Sequence, residues 1–214
     1  MKYSLCKLNA GAKVLVISLL ICLGLGGCAK DAAPSSSSDT TVTDGTHSEL
    51  ELAIIEEMNY ARTKRSEYIK ERLEPLVEEG DDSPYQVALA DLISDMKAIT
   101  SNLKGFTPAE GLHKCAKEWV EISGPVGTVG HEENTFARFR KYCTYTTAGE
   151  NCSYGSSTAK AIVLQLLIDQ GIEGYGHRKN ILSPTFTHVG VAVGTHKTYK
   201  TMCCMDFASN YKEK

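Results

Sequence analysis

The chain has 214 residues, 42% of them hydrophobic, and carries 23 lysines and arginines against 26 acidic residues, so its formal net charge at pH 7 is −3. This acidic balance, with no dense run of basic residues, excludes a protein that binds nucleic acid through the phosphate backbone. The length suits one domain of ordinary size with shorter accessory segments.

The N-terminal segment has the pattern of an export signal. Lys2, Lys7 and Lys13 precede an apolar run from Val14 to Leu25. The run is about 12 residues long, whereas a membrane-spanning helix needs roughly 20. We therefore predict a signal peptide over residues 1–27 rather than a permanent transmembrane anchor. Its removal takes away three lysines and lowers the net charge from −3 to −6.

The signal ends in Leu25-Gly26-Gly27-Cys28, which resembles the lipobox of bacterial lipoproteins. The resemblance implies that Cys28 is acylated and anchors the exported protein to the membrane, at the cell envelope or cell surface, since two or more acyl chains anchor stably. Ala29 implies the outer membrane if the host is Gram-negative. The alternative is ordinary signal cleavage, with Cys28 incidental. Residues 28–48, rich in serine and threonine, are predicted to be a flexible tether.

The remaining domain, residues 49–214, begins with helical patterns. Ser48 and Glu51 have the spacing of a capping box, and Thr107 with Pro108 resembles a second helix start. Apolar residues at helical spacing predict the helices themselves. These helices begin near Glu49 and near Thr107, restart over Ser66–Leu73, and cover Tyr85–Leu103, Thr135–Tyr142 and Thr158–Gln170.

The C-terminal part has the pattern of a β-hairpin. The runs Thr187–Val193 and Thr198–Phe207 are rich in β-branched and aromatic residues, and a short glycine-containing connection separates them. Helices come first and an antiparallel hairpin last, which predicts the α+β class. Adjacent residues of a strand point to opposite faces, so Cys203 and Cys204 are not expected to pair with each other.

Five cysteines lie in the predicted domain, namely Cys115, Cys143, Cys152, Cys203 and Cys204. Export implies an oxidising compartment in which disulfides persist, and an odd number leaves at least one thiol without an intramolecular partner. Cys115 lies on an apolar helix face and is expected to be a buried, inert thiol. Cys143 and Cys152 flank one predicted loop and are the candidates for a disulfide.

Three stretches place ionisable side chains beside a glycine. They are Gly130-His131-Glu132-Glu133, Gly149-Glu150-Asn151-Cys152 and Gly176-His177-Arg178-Lys179-Asn180-Ile181-Leu182. Histidine and glutamate on glycine turns around a buried element predict a polar cleft. Such a cleft either holds a metal ion or is a hydrogen-bonded knot.

Together with Asn59-Tyr60-Ala61-Arg62 and Val189-Gly190-Val191-Ala192, and in this order, these stretches resemble the bacterial branch of the CAP domain (cysteine-rich secretory proteins, antigen 5, pathogenesis-related proteins). The resemblance covers about Glu49 to Phe207. It implies a three-layer α-β-α sandwich with a small antiparallel sheet, and a central cleft with two histidines and two acids. His131, Glu150 and His177 match three of these positions. Asp169 is the candidate for the fourth, with Glu132 or Glu133 as substitutes.

The cleft residues allow three roles. Two imidazoles with one or two carboxylates suit Zn²⁺ or another divalent cation. Without a metal, Glu150 beside a histidine could act as a general base, or the groups could only pin loops to the sheet. Asn151 and Arg178 are expected to support the cleft, Asn151 by bonding loop backbone groups and Arg178 through a structural ion pair.

The resemblance implies a binding module for an apolar small molecule, such as a lipid or sterol-like ligand, or for a cell-envelope or extracellular protein. No nucleophile with its base and orienting acid is recognisable, so binding is preferred to catalysis. The alternative is a metal-dependent hydrolase or peptidase that uses His131, Glu150 and His177.

Overall fold

The computed structural model describes residues 47–214. The predicted signal peptide, Cys28 and nearly all of the predicted tether lie outside the described residues. Within residues 47–214, none of the helices combines the length and the apolar character needed to cross a bilayer.

The helices occur in the order that the sequence patterns predict, with some changes at their ends. They are α1 (Glu49–Thr63), α2 (Arg65–Tyr68), α3 (Pro84–Ala98), α4 (Glu110–Val126), α5 (Thr135–Tyr142), α6 (Ala159–Ile168) and α7 (Gly176–Ile181). A π-helical turn, Ile69–Leu73, and a 3₁₀ turn, Glu74–Leu76, continue α2. The capping box of α1 is confirmed: the Ser48 backbone N–H donates to Glu51 over 2.7 Å, and the Glu51 N–H donates to the Ser48 hydroxyl over 3.3 Å.

A four-stranded sheet forms the middle layer. The strands are β1 (Thr107–Pro108), β2 (Cys143–Thr144), β3 (Thr147–Tyr154), β4 (His188–His196), β5 (Lys200–Ser209) and β6 (Lys212–Glu213). The order in the sheet is β1-β4-β5-β3, while β2 and β6 form a separate ribbon. Strands β3, β5 and β4 are antiparallel, and the short β1 is parallel to β4. The predicted β4–β5 hairpin is confirmed.

The two faces of the sheet are covered by different helices, which confirms the three-layer α-β-α sandwich. On one face, α1, α3 and α6 pack through the largest apolar cluster against Val189, Val191, Met205 and Phe207. On the other face, α4 and α5 pack through two smaller clusters, one around Phe139 and the other around Trp119. We call these the apolar face and the α4 face. Alternate residues of β3, β4 and β5 belong to alternate faces.

Strand β3 is the main element that the sequence analysis missed, because Glu150 was expected on a glycine turn and Cys152 at the edge of a loop. The segment is polar and poor in β-branched residues, which are the usual signals of a strand. It nevertheless pairs along its whole length with β5, from Thr147 opposite Ser209 to Tyr154 opposite Met202. The pairing places Glu150 inside the sandwich.

Three predicted helix ends are wrong. Thr107 does not cap a helix: its N–H donates to the Thr187 carbonyl in β1, and the helix begins at Glu110. Proline is tolerated in this position because β1 is an edge strand. The third helix ends at Ala98 instead of Leu103, since Ile99 is extended. The helix predicted over Thr158–Gln170 ends at Ile168, because Asp169 turns into the left-handed region with φ 55°.

Candidate functional site

The first acid–imidazole pair of the site joins His131 to Glu150. Glu150 lies in the middle of β3, and its side chain is 1% exposed. His131 lies in the loop between α4 and α5. Hydrogen bonds of the neighbouring Gly130 hold this loop in place: the Gly130 N–H donates to the Tyr154 hydroxyl, and the Trp119 indole N–H donates to the Gly130 carbonyl. His131 Nδ1 lies 2.7 Å from Glu150 Oε1.

Electrostatics make this pair an ion pair. Although burial opposes its charge, hydrogen bonds with Cys152 and Glu150 raise the pKa of His131 to about 10. Burial opposes the charge of Glu150 as well, but the His131 hydrogen bond and the charge of Arg138 hold the pKa of Glu150 below its usual range. His131 Nδ1–H therefore donates to a charged Glu150 carboxylate.

Arg138 joins the pair from the other side. It lies on α5 with a side chain only 1% exposed, and its Nη2 donates to Glu150 Oε2. Its Nη1 donates to Glu132 Oε2 over 2.9 Å, and its guanidinium lies 5.4 Å from the centre of the Trp119 ring. Despite burial, electrostatic interaction with the acidic side chains of Asp206 and Glu150 raises the pKa of Arg138 further, so Arg138 stays a permanent cation.

Asp206 is a second carboxylate in the same buried space. It lies on β5 directly opposite Glu150, is fully buried, and its Oδ2 lies 3.8 Å from Arg138. Burial and the charge of Glu150 raise the pKa of Asp206 well above its usual range. Its Oδ2 atom has no hydrogen-bond partner. The raised pKa keeps a proton on Asp206 at a pH at which Glu150 has lost its own, and this leaves one negative charge on the two carboxyl groups.

Two thiols complete the buried cluster. Cys152 and Cys204 face each other on β3 and β5, and the Cys204 thiol lies 3.5 Å from Glu150 Oε2. A hydrogen bond from Cys204 lowers the pKa of Cys152 to about 6, whereas burial raises the pKa of Cys204. Ligand atoms of His131, Glu150 and Cys152 lie within 4.8 Å of one another, as do those of Glu150, Cys204 and Asp206.

The second acid–imidazole pair joins His177 to Asp169. Asp169 Oδ1 lies 2.7 Å from His177 Nδ1, and Asp169 Oδ2 accepts the backbone N–H of His177 over 2.9 Å. Asp169 reaches these groups because it leaves α6 in the left-handed conformation, which aspartate tolerates better than most residues. The carboxylate thereby fixes the start of α7 and the orientation of the imidazole at the same time.

The structure brings the two pairs to the same space. The rings of His131 and His177 have centroids 6.5 Å apart and are inclined by 39°. Neither Glu132 nor Glu133 takes the position beside His177: Glu132 bonds Arg138, and Glu133 is exposed. Among the described residues, the groups of three close ligand atoms include His131 but not His177.

Asn151 and Arg178 lie behind the cleft rather than in it. Asn151 donates to the His177 carbonyl over 3.0 Å, and Asn180 donates to Asn151 over 2.8 Å, so α7 is tied to β3. Arg178 is buried, pairs with Asp95 over 2.7 Å and donates to three backbone carbonyls. Its structural ion pair was expected.

Arg138, Asp206 and Cys204 were not identified from the sequence. No glycine motif marks them, and Arg138 looks like an ordinary polar residue of a short helix. A usable signal exists for β5: with Cys203, Met205 and Phe207 on one face, Cys204 and Asp206 must share the other. A buried aspartate in such a strand needs a partner, which predicts a buried cation beside it.

The five cysteines of the described domain are free thiols. The expected pairing of Cys143 with Cys152 is wrong. Cys143 packs in the cluster around Phe139, while Cys152 packs in the cluster around Trp119 beside Cys204. The two belong to different clusters of the α4 face because Cys143 lies on β2 and Cys152 lies toward the far end of β3. Cys115 is buried as expected, and Cys203 and Cys204 lie on opposite faces.

Comparison with known proteins supports the resemblance to the CAP domain. The model of the cysteine-rich secretory protein family, CAP, matches residues 56–207. The chain belongs to the CAP family. Over 48 residues it is 46% identical to the uncharacterized protein YkwD of Bacillus subtilis, a stretch that covers 22% of this chain and 17% of that protein. The match thus spans about a sixth of the length of this relative.

Solved structures include two similar chains. An outer surface protein from Borrelia burgdorferi is 16% identical with a TM-score of 0.44, covering 60% of this chain and 93% of the other. A cysteine-rich secretory protein from Staphylococcus aureus is 16% identical with a TM-score of 0.41, covering 59% of this chain and 37% of the other.

Proposed function

We propose that this CAP domain is a binding protein whose cleft holds a divalent cation such as Zn²⁺ through the Nε2 atoms of His131 and His177. The observation that carries the proposal is the pair of carboxylates on the two imidazoles. Glu150 and Asp169 each engage Nδ1, with distances of 2.7 Å in both cases. That contact leaves Nε2 of each ring as the atom that can bind a metal, and on His131 the metal would first have to displace the Nε2 proton of the ion pair with Glu150.

The residues present fit such an ion. A carboxylate on the far nitrogen is the usual way in which a metal-binding histidine is oriented, and the centroids of the two rings lie 6.5 Å apart. Both side chains keep some exposure, 14% for His131 and 13% for His177, so the ion has a path from solvent. Two protein ligands leave further coordination positions open to water or to a bound molecule.

A bound ion would act as a Lewis acid toward an oxygen of that molecule. The chain's own residues bind and orient: Asp169 and Glu150 hold the rings, and Arg138 holds Glu150. Binding is favoured over turnover because a hydroxyl or thiol nucleophile is not exposed beside the two imidazoles in the described part of the chain, and Cys152 is buried behind them. The ligand class that we propose is an apolar small molecule or an envelope protein.

Zinc titration of the full chain tests the metal proposal. We expect one Zn²⁺ per chain for the wild type and for the control variant His188→Ala, whose histidine lies at the start of β4 outside the cleft. The double variant His131→Ala/His177→Ala should lose this zinc. Asp169→Asn should weaken zinc binding by about 10- to 100-fold without abolishing it, because Asp169 orients a ligand rather than being one. Undiminished binding by the double variant would contradict the proposal.

We further propose that the domain is exported and held at a membrane through acylated Cys28. The supporting pattern is the short signal that ends in Leu25-Gly26-Gly27-Cys28, followed by the serine-rich tether. Membrane fractionation of cells that express the full chain tests this proposal. Wild type should sediment with membranes and Cys28→Ser should not, whereas equal sedimentation of both would rule the anchor out.

A further inference from the structure

The floor of the cleft contains a pair of cysteines that the proposed metal site does not use. Cys152 on β3 and Cys204 on β5 are register partners in neighbouring antiparallel strands. Both side chains belong to the α4 face, where they pack in the same cluster as Trp119. Cys152 retains 7% exposure, while Cys204 has none.

The hydrogen-bond pattern of the strands places this pair where side chains approach most closely. The Gly155 N–H donates to the Thr201 carbonyl over 2.9 Å, so these opposite residues form a hydrogen-bonded pair. Hydrogen-bonded and non-hydrogen-bonded pairs alternate along an antiparallel ladder. Counting back three residues along β3 makes Cys152 and Cys204 a non-hydrogen-bonded pair. Cα atoms in such pairs are about 4.5 Å apart, within the range that a disulfide spans.

We propose that Cys152 and Cys204 are a redox pair that closes into a cross-strand disulfide beneath the cleft, by exchange with an external disulfide. The other cysteines of the domain are not placed for it. Cys203 points to the apolar face, and Cys143 packs in the cluster around Phe139. Cys115 lies on α4 and is not a register partner of either strand cysteine.

The exchange has two balanced steps. Cys152, the less deeply buried of the two, loses its proton to solvent, and its thiolate attacks one sulfur of the external disulfide. A mixed disulfide forms, and the other half leaves as a thiolate that takes up a proton from solvent. The Cys204 sulfur then attacks the Cys152 sulfur of the mixed disulfide, and the second half leaves as a thiol with the proton of Cys204. The two protein thiols are oxidised by two electrons, and the external disulfide is reduced to two thiols.

Closing the pair would change the cleft. The reduced Cys204 thiol lies 3.5 Å from Glu150 Oε2, and a disulfide has no S–H to donate there. The bond would also join β3 to β5 close to Glu150 and Asp206, and close a loop of about 50 residues in the unfolded chain. We therefore expect the oxidised protein to unfold at a higher temperature than the reduced protein.

Peptide mapping of the full chain tests the proposal. Wild-type protein is incubated with oxidised glutathione or with dithiothreitol, unfolded, alkylated and digested with trypsin. After oxidation, the peptides 142–160 and 201–212 should appear joined and lighter by two hydrogens than the separate pair, and reduction should separate them. The joined species should persist in Cys203→Ser and Cys143→Ser, and should be lost in Cys204→Ser and Cys152→Ser.

Two outcomes would overturn the proposal. One is complete alkylation of Cys152 and Cys204 in wild type after oxidation, a result that does not depend on whether any variant folds. The other is a joined species that survives in Cys204→Ser. The result is separable from zinc binding, since the disulfide should also form in metal-free His131→Ala/His177→Ala protein.

Discussion

The two faces of the sheet are built from alternate residues of the same strands but differ in chemistry. On β5, Met205 and Phe207 point into the apolar face, while Cys204 and Asp206 point into the α4 face. On β4, the apolar face receives Val189 and Val191, and the α4 face receives Gly190. The apolar face stabilises the domain by burial of large side chains, whereas the α4 face holds buried charges close to one helix layer.

The close approach of α4 is what allows the second face to carry ionisable groups. A Cβ atom on Gly190 would lie 2.0 Å from the Leu112 carbonyl carbon and from the His113 nitrogen. Trp119 of α4 lies 5.4 Å from the Arg138 guanidinium, and the side chains of Glu150 and Asp206 beside Arg138 are buried. The α4 face therefore depends on Gly190 of β4, which lets α4 approach the sheet, as well as on the charged residues themselves.

The largest effect is expected from Gly190→Ala. The added methyl would overlap backbone atoms of α4, which cannot turn aside, so the helix must move off the sheet. We expect a loss of about 3 kcal/mol or more in the free energy of unfolding, measured by urea denaturation. Gly194→Ala is the comparison variant and should cost less, because its new methyl would overlap one methyl group of the Val120 side chain rather than backbone atoms, and rotation of this β-branched side chain can relieve the overlap at some cost. Equal stability of the two variants would show that the close approach is not required.

Removal of the buried cation should come next. Arg138→Met keeps an unbranched side chain but leaves Glu150 charged, buried and without its guanidinium partner, and we expect a loss of about 3–5 kcal/mol. Arg140→Met on the same helix is the control, since Arg140 is exposed and should change stability by no more than about 0.5 kcal/mol. A loss below about 1 kcal/mol for Arg138→Met would mean that Glu150 takes up a proton at little cost.

The residues of the site differ in how well they could be predicted from the sequence. His131, Glu150 and His177 lie beside glycines in stretches that resemble the family motifs. Asp169 comes directly after the apolar part of a predicted helix and shortly before His177, so it could be predicted as the fourth member of the site. The helices of the apolar side were predicted well because their periodic residues face one large core. The sandwich class followed from the order of helices and hairpin, together with the family resemblance.

Arg138 and Asp206 could not be predicted as members of the site from the sequence. Their partnership depends on the register between β3 and β5, which pairs segments far apart in the sequence, and β3 itself carries little strand propensity. The prediction for Thr107 was wrong for a similar reason. Its local sequence suits a helix cap, but pairing with β4 determines its backbone conformation. Tertiary pairing overrode local propensity in both cases.

A smaller effect is expected on the apolar side of the sheet, where Glu51 supplies a polar contact. Its Oε2 accepts from Ser48 in the capping box, and its Oε1 accepts the Val193 N–H of β4 over 2.9 Å. Glu51→Ala should lower the free energy of unfolding by about 1–2 kcal/mol. The exposed Glu49→Ala should cost less than about 0.5 kcal/mol in the same denaturation experiment, and a reversed order would remove Glu51 as a link between α1 and β4.

The effect expected from Asp206→Asn is the smallest near pH 4 and grows as pH rises, which makes it the most specific of the four. The folded state raises the pKa of Asp206 above the value of about 3.9 in the unfolded chain, so above pH 4 the native protein holds a proton that the unfolded chain has lost. Stability from this group is present below pH 4 and falls as pH rises toward the folded pKa, by up to about 1.4 kcal/mol per pH unit. Glu150 has the opposite sign, since its lowered pKa makes stability fall as pH drops below about 4.

The two signs can be separated by measuring the free energy of unfolding from pH 3 to pH 7 in wild type and in Asp206→Asn. Asparagine keeps the shape of a protonated aspartate but cannot lose a proton, so the variant should lack the decline above pH 4 and keep the decline below it. The difference between the two curves should therefore grow in favour of the variant as pH rises. Parallel curves above pH 4 would show that Asp206 is charged in the native state, and that Arg138 holds two negative charges rather than one.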